Sequence, residues 1–128
     1  MANYFLNGGL SGTTSALSSV ITYLAVGTGD LNASPTGPNK ADTGLKTVVT
    51  GYGLDAGAAT VTQTTTTTAN DTLTLTKTWT VTTGPKSLTE CGASTSGGTY
   101  YSHAALSSTK NVGAGDSFTL TMNHILTN

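Results

Sequence analysis

The sequence predicts an all-β chain, a single-domain β-sandwich of jelly-roll type with about eight strands, and three observations lead there. From Thr72 to Thr82 every even position is threonine, while the odd positions run Leu73, Leu75, Lys77, Trp79 and Val81. A period of two separates an apolar face from a hydroxyl face, as in a half-buried strand. The stretch Ser117 to Leu126 repeats the pattern, with Phe118, Leu120, Met122, His124 and Leu126 on one side and Ser117, Thr119, Thr121 and Asn123 on the other. Glycine and proline punctuate the patterned stretches, and no stretch carries a helical period, so the expected far-UV signature is all-β.

In chain order, residues 1–19 read as an N-terminal arm and residues 20–128 as the sandwich domain. The arm carries a small apolar knot, Asn3 to Leu6, followed by Gly8 and Gly9. Val20 to Val26 is apolar on both faces, which predicts a central, covered strand. Gly27, Thr28, Gly29 and Asp30 end it, and a polar surface loop with Pro35 and Pro38 runs to Lys40. Lys46 to Thr50 predicts a short strand closed by Gly51 and Gly53.

Ala59 to Thr68 predicts a strand joined to Thr72 to Val81 as a hairpin. A three-residue loop, Ala69 to Asp71, places Thr68 against Thr72, Val61 against Trp79, Ala59 against Val81 and Thr65 against Leu75. A two-residue loop would set apolar against hydroxyl, so the longer loop is preferred. In that register Gln63 and Lys77 meet on the apolar face, which points to a strand end reaching water ahead of a partner contact. Gly84 and Pro85 break the chain, Ser87 to Cys91 resumes it, and Thr99 to Leu106 follows the Gly97-Gly98 pair as a further strand.

The 128 residues suffice for one core. Charged residues make up 9 %, against about a quarter in an ordinary globular protein. Five lysines, no arginine and six acids give a net charge of -1, which leaves no electrostatic footprint for nucleic acid. So little charge gives little repulsion between copies and suits a protein packed into an assembly. Cys91 is the sole cysteine, so no internal disulfide is available. The apolar stretch Ala16 to Val26 is interrupted by Ser18, Ser19 and Thr22 and is shorter than a bilayer span of about 20 residues; neither membrane nor export is expected.

Glu90, Cys91, His103 and His124 are the residue types a metal would take, but they lack the close pairs that preorganise a site, so no metal and no cofactor are expected. No GxSxG elbow or partnered nucleophile is present, which argues against an enzyme. Gly27-Thr28-Gly29 lacks the third glycine and the helix of a phosphate loop and reads as a turn. Tyr100, Tyr101 and His103 suit a sugar-stacking platform, although aromatics this sparse are better assigned to core and rim.

Three stretches carry a resemblance: Tyr23-Leu24-Ala25-Val26-Gly27-Thr28-Gly29, Leu88-Thr89-Glu90-Cys91-Gly92 and Gly115-Asp116-Ser117-Phe118-Thr119-Leu120. In that order they resemble the small structural proteins of tailed bacteriophages, in which a YLALGTG strand, an lTEaGl strand and a gDsltl final strand recur. The likeness runs from Tyr23 to about Leu126; Cys91 and Ala93-Ser94-Thr95 depart from it. It implies a non-enzymatic virion protein made in the bacterial host cytoplasm. Two roles are implied, a capsid decoration (cement) protein on the major capsid protein, or a tail or fibre component with a receptor- or carbohydrate-binding role. The single domain, the apolar arm and the absence of fibre repeats favour decoration.

The partner contacts are expected on Tyr4, Phe5 and Leu6 of the arm and on Thr74, Thr76 and Thr78 of the hydroxyl face. Together with Thr60, Thr62, Thr64, Thr66, Thr68 and the rest of Thr72 to Thr82, these threonines form a wide uncharged surface. Natural sheets guard such surfaces with lysine, glutamate or proline. A cover is therefore expected in the assembled state, a homodimer or homotrimer being the simplest.

Overall fold

The computed structural model describes residues 20–29, 44–67, 69 and 71–125. The arm, with Tyr4, Phe5 and Leu6, and the Pro35–Pro38 loop lie outside them. The described residues form seven strands: β1 (Tyr23–Gly27), β2 (Gly57–Ala58), β3 (Thr60–Thr64), β4 (Thr72–Thr80), β5 (Lys86–Ser94), β6 (Tyr100–Val112) and β7 (Ser117–Ile125). The described residues contain no helix. All pairings are antiparallel and build two sheets, β2-β1-β5-β6 and β3-β4-β7, an all-β arrangement consistent with a β-sandwich.

The period-two reading places the core correctly. Leu73, Leu75 and Trp79 from the odd face of β4, and Val81 just beyond it, are buried with Leu24 and Val26 of β1, Leu88, Cys91 and Ala93 of β5, and Leu120 of β7. Trp79 lies opposite Phe118 with ring centroids 6.0 Å apart, and its indole Nε1 donates to the Asp55 carbonyl at 2.8 Å. The polar end of the indole is thus satisfied inside the apolar layer. β1 is central and covered, as its two-faced apolarity predicts.

Chain crossings tie the sheets together. At Ala59, whose N–H donates to the Thr22 carbonyl at 2.8 Å, one extended run leaves β2 in the first sheet and becomes β3 in the second. The expected strand Lys46 to Thr50 contributes only a bridge between Val48 and Gly27. The backbone donors of Lys46 and Thr47 bond a carboxylate and not a neighbouring strand.

The β3–β4 hairpin differs from the expected register. Val61 faces Leu75 instead of Trp79, Thr64 faces Thr72, and the connection spans 65–71. The displacement is even, so the apolar faces still match. Its cause is Asp71, buried at the foot of the loop, whose two carboxylate oxygens accept from the N–H groups of Thr66 (2.8 Å) and Thr67 (2.9 Å). Asp71 Oδ1 also accepts from the Thr72 hydroxyl, which lies 2.6 Å from that of Thr66. Thr66 and Thr72 therefore belong to this turn and not to the open hydroxyl face, while Thr68 lies outside the described residues. Gln63 faces Leu73 and does not meet Lys77. The Lys77 stem lies against Gly57, and its ammonium stands 5.3 Å from the Trp79 ring centroid, so the charge reaches the sheet margin over an aromatic face. Asp71→Ala is expected to cost about 2–3 kcal/mol, because two backbone donors and a buried hydroxyl lose their acceptor; chemical denaturation checks this.

Candidate binding surface

The outer face of the three-stranded sheet brings the sequence-predicted threonines together. Across β4 and β7, Thr74 stands opposite Asn123, Thr76 opposite Thr121, Thr78 opposite Thr119 and Thr80 opposite Ser117. Across β3 and β4, Thr60 faces Thr76 and Thr62 faces Thr74. The β3 and β7 members are exposed, as are Thr78 and Thr80, and Thr74 and Thr76 in the middle row are half-buried by their neighbours. None of these positions carries a charge.

Three rows across β4 and β7 are already paired. Thr74 Oγ1 donates to Asn123 Oδ1 at 2.8 Å, Thr78 and Thr119 hydroxyls lie 2.7 Å apart, and those of Thr76 and Thr121 lie 3.3 Å apart. Such cross-strand pairs stabilise a sheet by a few tenths of a kcal/mol to about 1 kcal/mol each. They also lower the cost of covering the face, because groups that satisfy one another lose little when water leaves. The sequence showed the threonine period of β4 and of β7 but not that the two strands are neighbours. The shared x-Thr-x-Thr pattern was the available signal.

Two of the three motif stretches, Tyr23–Gly29 and Leu88–Gly92, meet at Glu90. Its side chain projects from β5 across Gly27, its partner on β1, and is fully buried. There Glu90 Oε1 accepts from the N–H groups of Thr47 (2.7 Å) and Gly29 (3.1 Å), and Oε2 from that of Lys46 (2.9 Å). A Cβ at Gly27 would strike both the carboxyl group and the Thr47 carbonyl, so the passage exists only over glycine. The Thr89 hydroxyl donates to the Gly29 carbonyl and completes the clasp. Gly27-Thr28-Gly29 and Thr89-Glu90 thus act as one device that fastens the end of β1 to residues 46–47. The third motif, Gly115-Asp116, docks on Val81, whose N–H donates to the Asp116 carbonyl and whose carbonyl accepts from Gly115, each at 2.8 Å.

The remaining candidates are dispersed. Among the described residues no group of three His, Cys, Asp or Glu is placed to hold a metal. Cys91 is buried, and burial together with the negative charge of Glu90 pushes its thiol up to about 11, so it is an inert thiol at neutral pH. Tyr100 lies over Gly92 and against Gly44, and burial followed by the Glu90 charge raises its phenol above the ordinary value. Tyr100 is half-buried, while Tyr101 is exposed. His103 sits on β6 opposite Gly92.

His124 joins the sheets, its Nε2 lying 2.6 Å from Ser102 Oγ on β6. Burial pushes its imidazole below the ordinary value near 6.5, opposed in part by the Leu73 backbone. A histidine held neutral by the fold stabilises it fully above about pH 6.5, and that contribution falls as acid protonates the unfolded chain first. The melting temperature is thus expected to drop between pH 7.5 and 5.5, and His124→Gln to flatten that drop.

Sequence reasoning missed the tip at Gly51-Tyr52-Gly53, where all three residues have left-handed backbone (φ 77, 61 and 76°). Tyr52 is exposed, and the Lys86 ammonium stands 4.1 Å from its ring centroid. The two glycines flanking an aromatic were the available signal. No protein-family model, curated protein or solved structure matches the chain.

Proposed function

We propose that the chain is a non-enzymatic virion protein, a capsid decoration protein that lies on the outside of a phage head, binds across adjacent major capsid protein subunits and stabilises the shell. The observation that carries this reading is the hydroxyl face. It is broad, uncharged and regular, and the β4 hydroxyls of Thr74, Thr76 and Thr78 are held by cross-strand pairs with β7 before any partner arrives. A surface of this kind has little side-chain entropy to lose and no charge to desolvate, the two costs that most weaken association. Each copy bound over a subunit boundary must leave before the subunits part, so shell stability rises with occupancy.

Tyr4, Phe5 and Leu6 would add apolar contacts from the arm, and a jelly-roll path for the whole chain belongs to the same proposal. Carbohydrate binding around Tyr100 is the less favoured reading, because that ring is half-buried and lies close to Gly92 and Gly44. The test is to mix the purified protein with phage shells that lack it and sediment them. Co-sedimentation, with shells that withstand higher temperature, is expected. Protein left wholly in the supernatant would contradict the proposal.

A further inference from the structure

Among the described residues four strands stand at the sheet margins, and three of them are guarded. β2 has two residues and β3 five. β6 is long, but its register with β5 breaks at Leu88/Glu90 and again at Ala93/Ser94, and it carries Lys110. Short length, bulges and lysine are the devices by which natural sheets prevent edge pairing. β7 has none of them. It runs nine residues in unbroken register with β4, from Ile125 against Thr72 to Ser117 against Thr80, without a charged residue or a proline.

In an antiparallel strand alternate residues direct their N–H and C=O groups away from the neighbour. Among the described residues, no backbone bond outside the named strand pairings involves Phe118–Ile125. Apolar side chains beside this edge are incompletely covered, as Ala59 and Val61 are at the β3 margin. Phe118 and Met122 are only half-buried, as are Ala104 and Leu106 of β6, and Ile125 is 50 % exposed, whereas Leu24 and Leu75 deeper in the core are fully enclosed.

We propose that β7 is the docking edge for a second copy of this chain, two β7 strands pairing antiparallel about a two-fold axis. The occupant follows from self-complementarity. Related by a two-fold axis, each outward donor of β7 meets an acceptor of the same strand, and no charge meets its like. Thr119 and Thr121 meet their own kind, so the hydroxyl pairing already made between β4 and β7 continues across the junction. A strand from another protein would gain the backbone bonds without that matched row. The product is a six-stranded sheet, β3-β4-β7-β7-β4-β3, with the half-buried apolar side chains beside the edge covered and the hydroxyl face doubled in width. The inference does not rest on the shell-binding reading, since among the described residues nothing guards the edge whatever the face contacts.

Sedimentation equilibrium of the wild-type chain without shells, combined with hydrogen exchange, tests it. A concentration-dependent dimer is expected, with alternate β7 amides gaining protection as the dimer forms. Thr121→Lys, on the exposed face of β7, supplies the missing guard and is expected to weaken dimerisation about tenfold or more. Thr76→Lys, on the central strand, leaves the edge intact and is expected to dimerise normally. A wild-type monomer at every concentration overturns the proposal, as does an assembly whose β7 amides stay unprotected. Dimers that survive Thr121→Lys but not Thr76→Lys would show face-to-face contact and also overturn it. If Thr121→Lys does not fold, the wild-type exchange pattern decides.

Discussion

Glu90→Ala is expected to destabilise the chain by about 4 kcal/mol, a large share of the 5–15 kcal/mol typical of a domain. Three backbone donors, from Gly29, Lys46 and Thr47, converge on this one buried carboxylate. Removing it leaves them without an acceptor, and a void opens above Gly27. The loss should concentrate where β1 meets residues 46–48, since no regular strand pairing holds that segment. Glu90→Gln retains one acceptor oxygen but turns an amide N–H₂ toward a donor, so an intermediate loss is expected. Urea denaturation of both variants checks this. A loss below about 1 kcal/mol for alanine would show that the clasp is not a main support of the fold.

Gly53→Ala is expected to cost about 3 kcal/mol or more, and Gly51→Ala only about 1 kcal/mol. Both glycines have left-handed backbone, with φ of 76° and 77°. A Cβ at Gly51 meets nothing within 4 Å, so only the conformational penalty applies. A Cβ at Gly53 runs into the Thr80 carbonyl and comes within 3.0 Å of the Thr82 nitrogen, both backbone atoms at the end of β4. The tip is tied there by the Thr82 N–H, which donates to the Tyr52 carbonyl at 2.9 Å, so it cannot move aside freely. The comparison separates backbone strain from collision. Equal losses for the two variants would contradict this account of the tip.

The sequence made the faces legible and left the partners of each face obscure. Threonine at every even position of β4 states which side is core, and Leu73, Leu75 and Trp79 are buried accordingly. Nothing in that period states how far β3 slides along β4. A carboxylate at the turn, Asp71, settles it by gathering two backbone donors. The irregular path of residues 46–50 has a similar origin, since Glu90 lies far away in sequence and takes the donors a strand would have used. Both surprises come from buried acidic groups acting on backbone, which periodicity does not encode. For the candidate surface, the threonines of β4 were readable, but their pairing with Asn123, Thr121 and Thr119 depended on strand order.

The central claim is that the hydroxyl face binds a phage shell, and the double variant Thr74→Lys with Thr76→Glu tests it most directly. Both positions lie on the outer face of β4, away from the core, so the fold is expected to survive, as an unchanged far-UV spectrum would show. The measurement is the fraction of protein that sediments with shells lacking it, wild type against variant. The account predicts that the variant stays in the supernatant at concentrations where the wild type saturates the shells. A folded variant that sediments as fully as the wild type would contradict it.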